Sequence, residues 1–184
     1  MICIFIFYHL LKDSLLQGGK LMKYSIVYSS RTGNTSLLAT KLKDTLPISD
    51  CVYYGTPDEK ALEADLVFVG FGTYKGECDE ELAALLKKFN NKKVFLFGTA
   101  GFGRSSLYFD QIIERVKKHI NESNSVVGNF MCQGKMPMSV RSRYESMLDK
   151  EPVKMKEMIE NFDEALNHPN EEDIIKLKEA VGQI

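Results

Sequence analysis

The sequence has no excess of charge of either sign. Its 184 residues carry 24 lysines and arginines against 25 aspartates and glutamates, a formal net charge of −1. Binding to nucleic acid or to an anionic membrane surface relies on a surplus of basic residues that neutralise phosphate groups. We therefore expect neither a nucleic-acid partner nor a membrane partner. The length suits one domain with its own core.

The sequence also lacks an apolar run long enough to cross a bilayer, which takes about 20 residues. Residues 2–8 are apolar, but no early basic region or small-residue cleavage site marks a signal peptide. Codons for Gln17 to Lys20 can contain AGGAGG, a bacterial ribosome-binding sequence, just upstream of Met22. We therefore expect translation to begin at Met22, with residues 1–21 an untranslated or disordered extension.

Cysteine and histidine are scarce and scattered. The four cysteines are far apart in sequence and form no CxxC motif: Cys3, Cys51, Cys78 and Cys132. This spacing predicts reduced thiols in a cytoplasmic protein, with neither a disulfide framework nor a metal site. No Ser-His-Asp or Cys-His motif is visible, and His119 is predicted to be a solvated helix residue. We predict no catalytic side chain, so any chemistry would belong to a bound cofactor.

Short apolar runs and amphipathic segments alternate along the rest of the chain. Strands are predicted at residues 24–28, 48–54, 66–69, 93–97 and 125–132, and helices near residues 37–46, 82–89, 109–120 and 155–166. This alternation predicts an α/β fold, a doubly wound, five-stranded parallel sheet of order 2-1-3-4-5. We place the domain at residues 22–167. A helical tail at 168–184 packs onto the domain or onto a second chain.

In such a sheet a ligand binds beyond the carboxyl ends of the strands, which directs attention to three loops. The first follows strand one and opens a helix; it comprises Ser29, Ser30, Arg31, Thr32, Gly33, Asn34 and Thr35. Hydroxyls and free backbone N–H groups at a helix start form a site for a phosphate group. The Walker and GxGxxG patterns are absent, which favours a terminal monophosphate. The alternative is an ordinary helix cap.

The segment Ser30–Thr35 resembles the phosphate loop of the flavodoxin family, [ST]-x-T-G-x-T, and matches it at every position. The resemblance extends from Met22 to about Leu166. It implies a flavodoxin-like fold and non-covalently bound FMN. The last strand carries no long insertion, as in short-chain members. A narrower resemblance is to the short flavodoxin-like proteins associated with bacterial bilirubin reductase.

The resemblance also assigns the other two loops to the flavin ring. The loop after the third strand would pack against one face or edge of the ring through Gly70, Phe71, Gly72, Thr73, Tyr74 and Gly76. The loop after the fourth strand would contact the other face and the pyrimidine edge through Thr99, Ala100, Gly101, Phe102, Gly103 and Arg104. Tyr74 and Phe102 are the candidate stacking rings. Each of these roles has a structural alternative: the ring of Tyr74 is simply exposed, Phe102 anchors the start of a helix, and Arg104 is solvated.

Three functions remain open on the sequence alone, because this fold serves many purposes. The first is an electron carrier that serves a reductase; under the narrower resemblance, that partner is bilirubin reductase and the product urobilinogen. The second is an enzyme, an NAD(P)H-dependent FMN or quinone reductase. The third is a scaffold without redox activity. The oligomeric state is left open.

Overall fold

The structure, a computed structural model, describes residues 16, 17, 20–103 and 105–184, with side chains from Met22 onward. Five parallel strands form its main sheet: β1 (Tyr24–Ser29), β2 (Cys51–Gly55), β3 (Leu66–Gly72), β4 (Lys93–Ala100) and β5 (Ser125–Gln133). Their order is β2-β1-β3-β4-β5, which confirms the predicted 2-1-3-4-5 topology. Most of the predicted extension, residues 1–21, and the predicted site residue Arg104 lie outside the described residues. Within 1–21, Leu16–Gln17 pairs with Lys20–Leu21.

Six α-helices occur in the described part of the chain: α1 (Asn34–Lys43), α2 (Glu80–Leu86), α3 (Ser106–Lys117), α4 (Met138–Glu145), α5 (Pro152–Ala165) and α6 (Glu171–Val181). Short 3₁₀ helices cover Ile48–Asp50 and Glu59–Glu63. The prediction that strand two begins at Ile48 was wrong. Ile48 is 76% exposed, and Asp50 N–H donates to the Pro47 carbonyl, which closes a turn before the strand. None of these helices is both long and apolar enough to cross a membrane.

The sheet is covered on both faces, which explains why its central strands are almost continuously apolar. Side chains alternate between faces along β3, so Phe68 enters one core and Val67 and Val69 the other. The first core lies under α1 and α6 and includes Tyr24, Leu38, Phe95, Phe97 and Leu177. The second lies under α2 and α3 and includes Val27, Phe71, Leu82, Phe89, Ile112 and Val116.

The tail packs back onto the domain as helix α6. Ile174, Leu177 and Val181 are buried in the core that β1 and α1 share. The helix begins with a capping box, in which Asn170 and Asp173 each accept a hydrogen bond from the other's backbone N–H. Helix α6 is therefore one of the layers that cover the sheet.

Helices α4 and α5 follow β5 and precede α6 in the chain, and they pack against each other as a pair. Helix α5 was predicted, whereas α4 was not. Arg141 of α4 forms ion pairs with Glu145 and with Asp163 of α5, and its guanidinium lies 5.8 Å from the Phe162 ring centroid. The pair reaches the carboxyl edge of the sheet, where Asn161 of α5 donates to the Gly101 carbonyl.

Candidate functional site

A cavity of about 180 Å³ opens at the carboxyl ends of β1, β3, β4 and β5. The three predicted loops all contribute to its wall, together with the segment after β5. The lining residues are Arg31, Thr32, Asn34, Gly72, Thr73, Thr99, Ala100, Gly101, Gly134, Lys135, Met136 and Pro137. The cavity therefore lies at the switch point of the doubly wound sheet, between strands whose connecting helices cover opposite faces.

The first loop reaches helix α1 through a left-handed residue. Gly33 is the N-cap, with φ at 85°, a conformation that glycine adopts without strain. No side chain caps this helix start. The first-turn N–H groups and the positive end of the helix dipole are thus available to an anion. The alternative that the loop's hydroxyls serve as an ordinary helix cap is not what the structure shows.

Asn34 fixes the first loop to the segment after β5. Its side-chain amide is buried and donates to Thr32 Oγ1 and to the Lys135 carbonyl, both at 2.9 Å. Gly134 makes room for it, because a Cβ there would lie 2.6 Å from Asn34 Nδ2. Asn34 therefore shapes the cavity wall rather than offering its amide to a ligand.

Buried hydroxyls lie around the same point. Thr35 Oγ1 and Thr99 Oγ1 are 3.0 Å apart and bond to each other, which joins the first loop to the end of β4. By contrast, Ser30 Oγ and Thr73 Oγ1 are buried and have no hydrogen-bond partner in the chain. A buried hydroxyl without a partner costs about 1–3 kcal/mol. Of the two, Thr73 lines the cavity and Ser30 precedes the lining residue Arg31 in the chain. The Thr73 hydroxyl, together with the uncapped helix start, fits the oxygens of a phosphate monoester.

Ser29 takes a different role from the rest of its loop. Its hydroxyl donates to Asp79 Oδ2, and Asp79 Oδ1 caps helix α2 by accepting from Leu82 N–H at 3.0 Å. Ser29 thereby ties β1 to the start of α2. Its hydroxyl is engaged with a carboxylate and is not directed to an anion.

Two basic residues border the cavity, Arg31 and Lys135, and both are exposed. The Arg31 guanidinium carbon lies 3.8 Å from the centroid of the Tyr74 ring, and Lys75 Nζ lies 5.2 Å from it. Tyr74 itself is 41% exposed. The ring predicted to stack on a ligand is thus in contact with cations of the protein.

Residues 74–77 form a tight turn beside the cavity. Tyr74 and Glu77 exchange two backbone hydrogen bonds, at 2.8 and 3.1 Å. The central residues, Lys75 and Gly76, have φ of 52° and 88°, as a type I′ turn requires. Helix α3 anchors this turn, because Arg115 Nη1 donates to the Gly76 carbonyl at 3.2 Å.

His119 provides a second anchor for the turn. Its Nε2 lies 3.2 Å from Glu77 Oε2, and its side chain is only 21% exposed. The prediction of a solvated helix residue was therefore wrong for His119. No local pattern indicates this contact, since the two residues are 42 positions apart.

Eight of the predicted site residues line the cavity, and ten others among the described residues do not: Ser29, Ser30, Gly33, Thr35, Gly70, Phe71, Tyr74, Gly76, Phe102 and Gly103. Gly70 and Phe71 are buried within β3, where a Cβ on Gly70 would lie 2.4 Å from Phe97 Cζ. Gly103 packs against the Gln133 side chain. Phe102 lines a separate cleft, next to Tyr108.

The segment after β5 was missed as part of the wall. Gly134, Lys135, Met136 and Pro137 all line the cavity, whereas Gln133 and Lys135 were considered from the sequence only as partner contacts. The available signal was topological, because β5 lies next to β4 and its carboxyl end reaches the same edge.

The cysteines of the described region are free thiols. Burial, with smaller contributions from Asp79 and Glu77, raises the pKa of Cys78 from its usual 9.0 to about 12. Burial also raises the pKa of Cys132 well above its usual value. These two thiols are therefore protonated at neutral pH and are not nucleophiles.

Comparison with known proteins gives consistent results. Residues 25–182 match the family model described as a flavodoxin domain. The chain is 41% identical over 172 residues to the flavodoxin-like domain-containing protein BilS of Clostridium symbiosum (strain WAL-14163), covering 83% of this chain and 90% of that protein. It is 34% identical over 162 residues to the protein of the same name in Clostridioides difficile (strain CD3), with the same coverage.

Among solved structures, oxidised flavodoxin 2 from Bacillus cereus shares the fold, with a TM-score of 0.54 and 19% identity over 86% of this chain and 94% of that chain. Identity at this level shows the fold alone. The family model and the two relatives go further, because each spans more than four-fifths of this chain. This chain belongs to the flavodoxin family.

Proposed function

We propose that this chain binds FMN non-covalently and transfers electrons between that flavin and a reductase. The observation that carries the proposal is the set of unpaired donors at the cavity. Gly33 leaves the start of α1 without a side-chain cap, and Thr73, which lines the cavity, carries a buried hydroxyl without a partner. A phosphate monoester would accept hydrogen bonds from both.

The lining favours a monophosphate over a nucleoside triphosphate. Among the described residues that line the cavity, Arg31 and Lys135 are basic and none is acidic. A triphosphate is usually bound with magnesium, which takes carboxylate ligands. A cavity of about 180 Å³ takes a phosphate and its neighbouring atoms, while the rest of a flavin would extend toward Tyr74 and the loop after β4.

A bound flavin would supply the redox chemistry by storing and passing on electrons. The protein's part is to bind and orient it. Thr32 and the start of α1 would hold the phosphate, while Gly72, Thr73 and the backbone of Thr99–Gly101 would border the rest of the molecule. Asn34 and the Thr35–Thr99 bond keep these segments in place.

We propose bilirubin reductase as the client, with urobilinogen as the end product. The support is the narrower sequence resemblance to flavodoxin-like proteins associated with that enzyme, together with the two BilS relatives. We also propose a cytoplasmic location, which the free thiols of Cys51, Cys78 and Cys132 support.

The test is an absorption spectrum of the purified chain, first alone, then with FMN, then with NADPH under anaerobic conditions. A bound-flavin spectrum that NADPH alone leaves oxidised is the expected result. After reduction of the flavin with dithionite, addition of bilirubin reductase and bilirubin should reoxidise it. Rapid bleaching by NADPH alone would instead make the chain a reductase in its own right. No change in the FMN spectrum would leave a scaffold without redox activity.

A further inference from the structure

A second cleft lies between the loop after β4 and helix α5. Its volume is about 490 Å³, and the described residues that line it are Phe102, Ser105, Tyr108, Glu157, Met158 and Asn161. Small-molecule sites usually measure about 300–1,000 Å³ and are mostly apolar with a few polar groups, as here. The end of β4 and the loop after it contribute to both sites: Thr99–Gly101 line the cavity described above, the proposed cofactor cavity, and Phe102 and Ser105 line this cleft.

The cleft is held in shape by a buried polar network. Asn161 is 3% exposed, and its amide donates to the Gly101 carbonyl at 2.9 Å. Gln133 Nε2 donates to the same carbonyl at 3.0 Å and to Asn161 Oδ1 at 3.1 Å. These bonds fix α5 against the loop after β4, so the cleft is formed before a ligand arrives.

The side chains of the cleft suit a flat, conjugated molecule. Phe102 and Tyr108 meet edge to face, with ring centroids 6.3 Å apart and planes at 76°. Together with the polarisable thioether of Met158, they form an apolar wall on which a ring system can pack. Burial raises the pKa of Tyr108, so its hydroxyl stays neutral. The exposed carboxylate of Glu157 at the rim accepts hydrogen bonds from ligand N–H or O–H groups.

We propose that this cleft is a second binding site, distinct from the cofactor cavity, for a planar conjugated small molecule that carries N–H or O–H donors at its edge. The proposal goes beyond the proposed function, because none of the six lining residues belongs to the cofactor cavity. It also gives Phe102 a role other than flavin stacking.

Proflavine, a flat three-ring dye with two amino groups, is a suitable probe for isothermal titration calorimetry. The wild-type chain is titrated with the dye in the absence and in the presence of saturating FMN. Met158→Arg extends a long charged side chain into the cleft, Met158→Leu is its matched apolar control, and Glu157→Gln removes the rim charge from an exposed position. Thermal unfolding and FMN affinity are measured for every variant.

We expect one equivalent of dye to bind the wild type and Met158→Leu, with or without FMN. Binding should weaken at least about tenfold in Met158→Arg and by about threefold or more in Glu157→Gln, as lost contacts of about 0.6–1.4 kcal/mol would require. Equal dye binding by the folded Met158→Arg variant, displacement of the dye by FMN, or no dye binding at all would overturn the proposal. A chain that binds the dye but not FMN would refute the proposed function and leave this second site standing.

Discussion

The guanidinium carbon of Arg31 lies 3.8 Å from the centroid of the Tyr74 ring, so the loop after β1 and the turn after β3 are in direct contact. Both side chains are exposed, and contacts of this kind contribute about 0.5–1 kcal/mol at exposed sites. A flavin can stack on Tyr74 only on a face that Arg31 leaves open, or after Arg31 moves. Arg31 would thereby couple the position of a flavin ring to the proposed phosphate site.

A double-mutant cycle measures this contact. We expect Arg31→Ala and Tyr74→Leu each to lower the free energy of unfolding in urea, and the double variant to lose about 0.5–1 kcal/mol less than the sum of the two. Arg31→Lys should retain part of the coupling. Strict additivity of the two single changes would show that the cation and the ring do not stabilise each other.

The buried amide of Asn34 supports the cofactor cavity from behind. Asn34→Ala removes the bonds to Thr32 Oγ1 and to the Lys135 carbonyl, which should weaken FMN binding by about tenfold. Quenching of FMN fluorescence on titration with protein gives the dissociation constant. Asn129→Ala, at an exposed asparagine of β5, is the matched control and should bind FMN as the wild type does. Similar affinities for both variants would contradict the assigned role of Asn34.

Arg115 anchors the turn at residues 74–77 through the Gly76 carbonyl. In Arg115→Leu, the amide hydrogens of this turn should exchange about fivefold faster, because one bond of about 1 kcal/mol no longer opposes local opening. Hydrogen exchange followed by mass spectrometry on a peptide spanning the turn measures this. Lys118→Leu changes an exposed cation of the same helical region and should leave the exchange rate unchanged. Unaltered exchange in Arg115→Leu would mean that the Glu77–His119 contact suffices to hold the turn.

Helix α6 contributes to the core, so its apolar side chains differ sharply in importance. Leu177 is fully buried and Ile175 is 54% exposed. Leu177→Ala should lower the free energy of unfolding by about 2–5 kcal/mol, whereas Ile175→Ala should change it by about 0.5 kcal/mol or less. Urea unfolding provides both values. Equal effects of the two substitutions would show that the tail does not pack on the sheet.

The raised pKa of Cys78 predicts a loss of stability in alkali. The folded chain keeps this thiol protonated up to about pH 12, whereas the unfolded chain releases the proton near pH 9.0. The contribution of the Cys78 thiol to the free energy of unfolding is therefore complete below pH 9.0 and declines as pH rises toward 12. In Cys78→Ala, the urea midpoint should fall less steeply between about pH 8 and pH 10.5 than in the wild type. Parallel slopes would contradict the shift.

The sheet and the position of the loop after β1 were predictable because their signals are local. Apolar runs such as that of β3 reflect burial on both faces, and the loop Ser29–Thr35 shows its character within seven residues. Ile48 misled the prediction because it is apolar yet exposed. Helix α4 could not be predicted from helical periodicity, because none of its residues is buried and its sequence therefore has no apolar stripe.

The remainder of the site depends on contacts between distant parts of the chain. Lys135 and Met136 reach the cavity only because β5 lies beside β4. Phe102 faces a separate cleft because the helix pair inserted after β5 brings Asn161 against Gly101, 60 residues earlier. Local pattern cannot predict such placements, whereas topology can direct attention to the correct edge of the sheet.

The central claim is that the cavity recognises a flavin through its phosphate group. Fluorescence titration of the wild-type chain with FMN and, separately, with riboflavin tests this most directly, because the two ligands differ only in that phosphate. We predict that FMN binds at least about 100-fold more tightly than riboflavin, which corresponds to two or more charge-assisted hydrogen bonds of about 1.5–3 kcal/mol each. Equal affinities, or no binding of FMN, would contradict the account.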